Sequence, residues 1–207
     1  MTSCAACSPG LHNMGSKPTI HFSQAKGWFM VFRSFAVLFL FTSNAFASDW
    51  TIVPDRSQLT FEGTQAGTSF QGSFADFSTA ITLDPTNLEN SSISVEIVTA
   101  SATSGSAERD GALPGADWFD VATHPTASFV SSFVTKTDAG YAAEGALTIK
   151  GTTHPVTLPF SLDIDGDEAT AAGSLTIDRN DYGIGAGPLS PMVGTEVAIS
   201  FDLVATR

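Results

Sequence analysis

Beyond position 7 the sequence contains no cysteine. Its one pair, Cys4 and Cys7, stands alone as a C-x-x-C. Such a pair can serve redox chemistry or form half of a zinc site. No second pair follows and no strand–helix pattern surrounds it, so it is given no function. Positive charge is also scarce. Downstream of residue 47 there are six Lys and Arg against 21 Asp and Glu, a net charge of −15. A surface this acidic repels phosphate backbones and anionic lipid headgroups, which argues against a nucleic-acid partner. Otherwise the charge reads as ordinary solubility. Only two histidines, His124 and His154, remain after residue 47. Each directly precedes a proline, and with no cysteine to join them no zinc site is expected.

Other signatures of chemistry are missing too. There is no G-x-S-x-G elbow. Gly183-x-Gly185-x-Gly187 lacks the spacing of a dinucleotide loop, and Pro188 blocks the helix such a loop needs. Asp163-x-Asp165-Gly166-Asp167-Glu168 places its glycine fourth rather than sixth, and Ser174 stands where a calcium loop needs Glu. It reads as a polar hairpin turn. Asn90-Ser91-Ser92 is a formal glycosylation sequon that a bacterial origin leaves bare. The expectation is therefore no catalytic residue, no metal and no cofactor.

No apolar run is long enough to span a bilayer, which takes about 20 residues. Residues 34–41, Ser-Phe-Ala-Val-Leu-Phe-Leu-Phe, have signal-peptide size instead. Arg33 precedes them, and Ala45-Phe46-Ala47 has the small-x-small form of a cleavage site. Residues 30–47 are thus expected to be a cleaved signal peptide, with the cut after Ala47 and export to the periplasm. Residues 1–29 fit neither signal nor domain. They read as an upstream extension, with translation starting at Met30. The mature domain, 48–207, then has no cysteine and must be stabilised by its core, which about 160 residues can provide.

What that domain has is alternation with period two. Val197, Ile199, Phe201 and Leu203 share one face, as do Val156, Leu158, Phe160, Leu162 and Ile164. Ile93, Val95 and Ile97 repeat the pattern, and so do Phe77, Ile81 and Leu83. Further strands are predicted near 57–62, 68–74, 125–134, 140–150 and 170–178. Turn signals separate them at 84–87, 138–140, 151–153 and 165–167. Short connections favour an antiparallel meander, and one apolar face per strand means one side meets a core. About eight such strands can close on themselves, removing exposed edges and leaving room for side chains or one small ligand. Gly72, Ser131, Ala143, Gly145 and Gly173 fall at inward positions. They either leave internal space or accommodate strand coiling and bulges. The one break in strand texture is 103–124, a short helical insert. It would place Leu113, Trp118 and Phe119 over a barrel mouth or plug the core with them.

The motifs, in order, resemble the YceI-like family. Trp50-Thr-Ile52, Pro54-Asp55-x-Ser57 and Leu59-x-Phe61 open the likeness, and Gly72-x-Phe74, Phe77, Ile81 and Asp84-Pro85 continue it. Arg109-Asp110 before Leu113, Asp117-Trp118-Phe119-Asp120-Val121, and His124-Pro125 with Phe129 are its most distinctive stretch. Gly145-x-Leu147-Thr148-Ile149-Lys150-Gly151-Thr152-Thr153-His154-Pro155-Val156 and Arg179-Asn-Asp181-Tyr182-Gly183-Ile184-Gly185 complete it. The resemblance implies an all-β, lipocalin-like barrel that holds a polyisoprenoid or similar lipid. It also implies a quinone-linked or cytochrome b561-type membrane partner and allows a homodimer. The family's His-Leu and basic residue after Arg-Asp are replaced here by Gly111 to Gly115.

On this basis the expected ligand-lining residues are Phe61, Phe70, Phe74, Val95, Ile97, Phe129, Phe133, Leu147, Leu158, Phe160, Leu175 and Phe201, with Trp118 and Phe119 at the mouth. Ten buried methylenes would contribute about 8 kcal/mol gross, against a binding cost of several. The expected function is a carrier of an isoprenoid-type lipid. An enzyme of lipid or quinone metabolism using His124 or His154, and a ligand-free structural or partner-binding barrel, are the alternatives. Arg109, Asp117, Asp120, Arg179 and Asp181 would either recognise a head group or, as favoured, form ion pairs fixing the insert and the last turn.

Overall fold

The computed structural model describes residues 48–207. The expected extension, the signal peptide and Cys4–Cys7 lie outside the described residues.

Alternating sequence becomes alternating burial. Along β9 (Thr152–Asp165), half-buried and exposed residues follow one another almost without interruption. The other strands are β1 (Ser48–Ile52), β2 (Gln58–Gln65), β3 (Thr68–Phe74), β4 (Phe77–Leu83), β5 (Ser92–Val98), β6 (Ala102–Thr103), β7 (Thr126–Thr137), β8 (Gly140–Ile149), β10 (Glu168–Asp178) and β11 (Glu196–Thr206). Every pairing is antiparallel. Following them from β1 through β4, β5, β7, β8, β9, β10 and β11 leads back to β1. That circuit has eight members and closes the barrel.

The extra segments arise because two staves are broken. A 3-10 turn at Pro54–Arg56 separates β1 from β2. Residues Ala75 and Asp76 separate β3 from β4. Proline cannot donate to a ladder, and Ser57 repairs the damage: its hydroxyl donates to the Val53 carbonyl at 2.9 Å and accepts from the Val204 N–H at 3.1 Å. β1 pairs with β4 and β2 pairs with β3, so the wall between the two staves carries a seam where the breaks face each other.

The two ends differ. At one, the connections are mostly short hairpins: β7–β8, β9–β10 and the β4–β5 link. Here Arg207 lies over the Trp50 ring at 5.0 Å, and the Trp50 indole donates to the Leu83 carbonyl. The opposite end carries the long connections, residues 99–125 and 179–195. The first holds the helix α1 (Ala107–Ala112) and a series of turns through Asp120.

The glycine positions resolve one open question. A Cβ on Gly72 would collide with the Phe61 ring, and one on Gly173 would meet the Phe201 ring at 2.7 Å. Phe61 and Gly72 are cross-strand partners, as are Phe201 and Gly173. These glycines are seats that let an aromatic ring fold down onto the neighbouring strand. They are not themselves internal space.

Candidate ligand-binding site

The inward faces enclose a cavity of about 220 Å³. On β10 alone its lining runs from Ala169 to Ile177. Eight residue steps of strand cover roughly 27 Å, or roughly 20 Å along the axis at a barrel tilt of about 40°. The cavity is therefore long and narrow, the width of one chain. Apart from Thr79, Arg179 and the indoles of Trp50 and Trp118, every lining residue is apolar.

Of the residues expected to line it, Phe61, Phe70, Phe74, Val95, Ile97, Phe129, Leu147, Leu158, Phe160, Leu175, Phe201, Trp118 and Phe119 do so. Phe133 does not. A bulge between Ser131 and Phe133 shifts the β7 register by one residue. Phe133 then pairs with Glu144 on the outer face and is 47% exposed, while Val134 turns inward. Alternation with no bulge carries Phe129 and Phe133 to the same face, which is why the sequence pattern misplaces it. The bulge has a polar purpose as well: the Ile93 N–H donates to the Ser131 hydroxyl at 2.8 Å.

Among the small inward residues, Ala127, Ala169 and Ala171 line the cavity and the glycines do not. A second cleft of about 230 Å³ lies at the seam between the broken staves. Leu59, Phe74 and Phe77 line both it and the interior.

A sequence profile of the YceI-like domain matches residues 50–205. The chain belongs to the YceI-like family. It is 33% identical over 194 residues to a UPF0312 protein of Pseudomonas savastanoi pv. phaseolicola, covering 86% of this chain and 100% of that one. Among solved structures, BcnA of Burkholderia cenocepacia superposes with a TM-score of 0.70 at 33% identity, over 75% of this chain and 99% of BcnA. A polyisoprenoid binding domain from Saccharophagus degradans, implicated in plant cell wall breakdown, superposes at 0.61 with 16% identity, over 76% and 98% of the two chains. At that identity the likeness is one of fold.

The distinctive YceI-like motifs build the cap over the long-connection end. Lys150 takes a left-handed conformation (φ 49°) in the β8–β9 turn and donates to the carbonyls of Ala116 at 2.7 Å and Gly183 at 2.8 Å. It thereby ties the insert to the 179–195 connection. Gly151 follows at φ 74°, and a Cβ there would come within 2.7 Å of the His124 ring. The Asp117 carbonyl accepts from the N–H groups of Gly185 and Ala186. Phe119 sits edge-on to Phe74, with ring centroids 6.0 Å apart. Leu113, Trp118 and Phe119 line the cavity at this end.

The charged residues of the cap do not form the expected ion pairs. Among the described residues the two salt bridges, Arg56–Glu168 and Arg207–Asp167, lie at the opposite end. Arg179 is only 3% exposed and spends its five N–H donors on five carbonyls. Nε reaches Gly194, one terminal nitrogen reaches Ile184 and Gly185, and the other reaches Ser190 and Val193, all within 2.7–3.0 Å. Arg109 lies over the Phe70 ring at 4.4 Å and donates to Ser104 and Gln65. Asp110 accepts from the Ser104 hydroxyl, the Ser104 N–H and the Thr103 hydroxyl, which hold its carboxyl below the usual aspartate range. The Asp181 carbonyl meets His154 Nε2 at 3.1 Å. Burial pushes the Tyr182 phenol up, with Asp181 adding to the effect. Neither His124 nor His154 lines the cavity.

The alternation also contained a lining residue that the apolar count passes over. Thr79 stands between Phe77 and Ile81 on the inward face of β4. A pattern search for apolar side chains skips it because it is polar.

Proposed function

We propose that this YceI-like protein is an exported carrier that sequesters a long apolar chain of isoprenoid type in its barrel and performs no chemistry on it. The observation that carries this reading is the continuous apolar cavity, long in one dimension and one chain wide. Leaving about 220 Å³ of such space empty forgoes on the order of 5 kcal/mol of packing. A filled barrel would avoid that cost, so a void kept at this size points to an occupant. The polyisoprenoid binding domain of S. degradans shares the fold and supports the choice of chain. The signal-like segment at 30–47 supports a periplasmic location. The fold is that of a binding family rather than an enzyme family, and the placement of both histidines away from the lining supports the carrier over an enzyme that would use one of them as its base.

Organic extraction and mass spectrometry of the full chain purified from the periplasm test the proposal. A prenyl lipid recovered at about one per protein is the expected result. A protein that emerges empty, and that takes up no prenyl chain when offered one, refutes it.

A further inference from the structure

The barrel wall is not bonded along its whole height. Between the two broken staves, ladder pairing stops at Trp50–Ile81 and resumes at Thr60–Ser73. Both edges of this gap send their hydrogen bonds away from it. Thr51 and Ile52 pair with Thr206 and Ala205 of β11, and Phe77 and Thr79 pair with Ile97 and Val95 of β5. The Ala75 N–H donates to the Ser101 carbonyl at 3.3 Å, and the Asp76 N–H donates to the Ser101 hydroxyl at 3.0 Å. Leu59, Phe74 and Phe77 stand between the cavity and the outer cleft, lining both. Side chains can turn aside without breaking a ladder.

The other ways in are fastened by polar bonds. At the cap, Lys150 holds the Ala116 and Gly183 carbonyls and Arg179 holds five more. At the opposite end Arg207 donates to Asp167, the Gly166 carbonyl and the Ser48 hydroxyl. β9 and β10 also part beyond Phe160–Gly173. There His154 Nε2 meets the Asp181 carbonyl, and the Tyr182 ring packs edge-on against the imidazole.

A polar chain end inside the apolar cavity would lose its water without replacement. The cleft can replace it. Its Ser57 hydroxyl is engaged by Val53 and Val204 and its Thr60 hydroxyl by Ser200. That leaves the Gln58 amide on β2 and the Ser73 hydroxyl on β3 free among the described residues. Exposed Asp55 and Asp76 adjoin the lining residues Pro54 and Ala75. Arg56 is taken by Glu168 through both terminal nitrogens. A phosphate would meet like charge there, whereas a hydroxyl or carbonyl would not.

We propose that the seam is the mouth of the carrier: the chain passes tail-first between the staves, and its uncharged polar end stays in the outer cleft, hydrogen-bonded by Gln58 and Ser73. The inference rests on the carrier reading above. It adds the route of entry and the class of head group, an alcohol or carbonyl rather than a phosphate.

Geranylgeraniol, its monophosphate and the hydrocarbon lacking its hydroxyl are the probes, offered to the delipidated full chain. A bulky maleimide is attached in a C4S/C7S background at A75C beside the seam, at G111C on the cap helix, or at S174C where β9 and β10 part. An added Cβ at Gly111 meets nothing, and Ala75 and Ser174 are exposed. Trp50 and Trp118 line the cavity, so their fluorescence follows entry. The label at A75C should slow uptake and release of the hydrocarbon together by about tenfold, leaving its affinity within about twofold. The labels at G111C and S174C should leave both rates within about twofold. D76C carries the seam label if A75C does not fold. In Q58L/S73A the affinity ratio of alcohol to hydrocarbon should fall about fivefold to tenfold, the worth of one hydrogen bond. The monophosphate should bind wild type more weakly than the alcohol. Uptake unaffected by the seam label, or slowed by either other label instead, overturns the route. An unchanged ratio in Q58L/S73A, or a monophosphate that binds more tightly than the alcohol, overturns the head-group site. Each of these leaves the carrier standing, whereas failure of wild type to bind any of the probes overturns both.

Discussion

Arg179 offers the sharpest quantitative test of how the cap is held. Its guanidinium is buried and caged by the carbonyls of Ile184, Gly185, Ser190, Val193 and Gly194. Lysine keeps the charge but has three donors against arginine's five. At least two carbonyls then lose their partner. Each buried orphan costs about 1–3 kcal/mol, so R179K should destabilise the fold by about 2–6 kcal/mol. For a domain of this size that lowers the thermal midpoint by roughly 5–20 °C. Urea unfolding followed by circular dichroism measures the free energy directly. R179M orphans all five groups and should cost at least as much, unless the 184–194 segment detaches and lets water satisfy them. In that case the loss appears as a shallower, earlier change in Trp118 fluorescence, because that ring packs against Gly185. An R179K protein within about 0.5 kcal/mol of wild type, the range of an ordinary surface substitution, refutes the reasoning.

Gly173→Ala should cost about 1–3 kcal/mol by overpacking, since its Cβ meets the Pro159 carbonyl as well as the Phe201 ring; denaturant midpoints check this. Ala171→Phe places a ring into open space, so it should leave stability close to wild type while excluding long prenyl chains, read by mass spectrometry of the bound lipid. A loss of stability typical of overpacking would show that the interior has no such space. Acid should loosen the cap. The folded-state pKa of Asp110 is lowered, so its stabilisation is present in full above the ordinary aspartate value and drains away as pH falls through the lower folded value. Asp110→Asn should remove this acid-dependent step from a Trp118 fluorescence titration, and an unaltered profile would count against it. His154→Ala should retain lipid binding, because the ring contacts Tyr182 and the Asp181 carbonyl rather than the cavity.

How much of this was legible in the sequence depended on the length scale. Period-two alternation is a property of the strand backbone itself, so nine of the eleven strands and the inward set of β9 and β11 follow from it directly. Two things did not. The first is the bulge at β7, which depends on which neighbour a strand finds and cannot be counted from one strand alone. It moved Phe133 outward and Val134 inward. The second is how charge is neutralised at the cap. Arg179 and Asp117 lie far apart in sequence with complementary charges, and an ion pair is the simple inference. The structure instead presents a ring of carbonyls, and carbonyls are common to every residue, so no side-chain pattern can announce them.

The glycines show why the same residues admit two readings until the partner strand is known. A small residue on an inward face can mean empty space or a place for a neighbour's ring. At Gly72 and Gly173 it is the second, yet the consequence for function is the first. A phenyl ring laid flat on the adjacent strand takes up the space where a Cβ would stand, and in doing so leaves the axis of the barrel clear. Phe61 and Phe201 line the cavity for this reason, rather than crossing it. The hollow therefore depends on paired choices, a glycine on one strand and an aromatic on the next. Replacing either member alone should close the channel or loosen the wall: a Cβ on the glycine pushes the ring towards the axis, and a small residue in place of the ring leaves the glycine backbone bare.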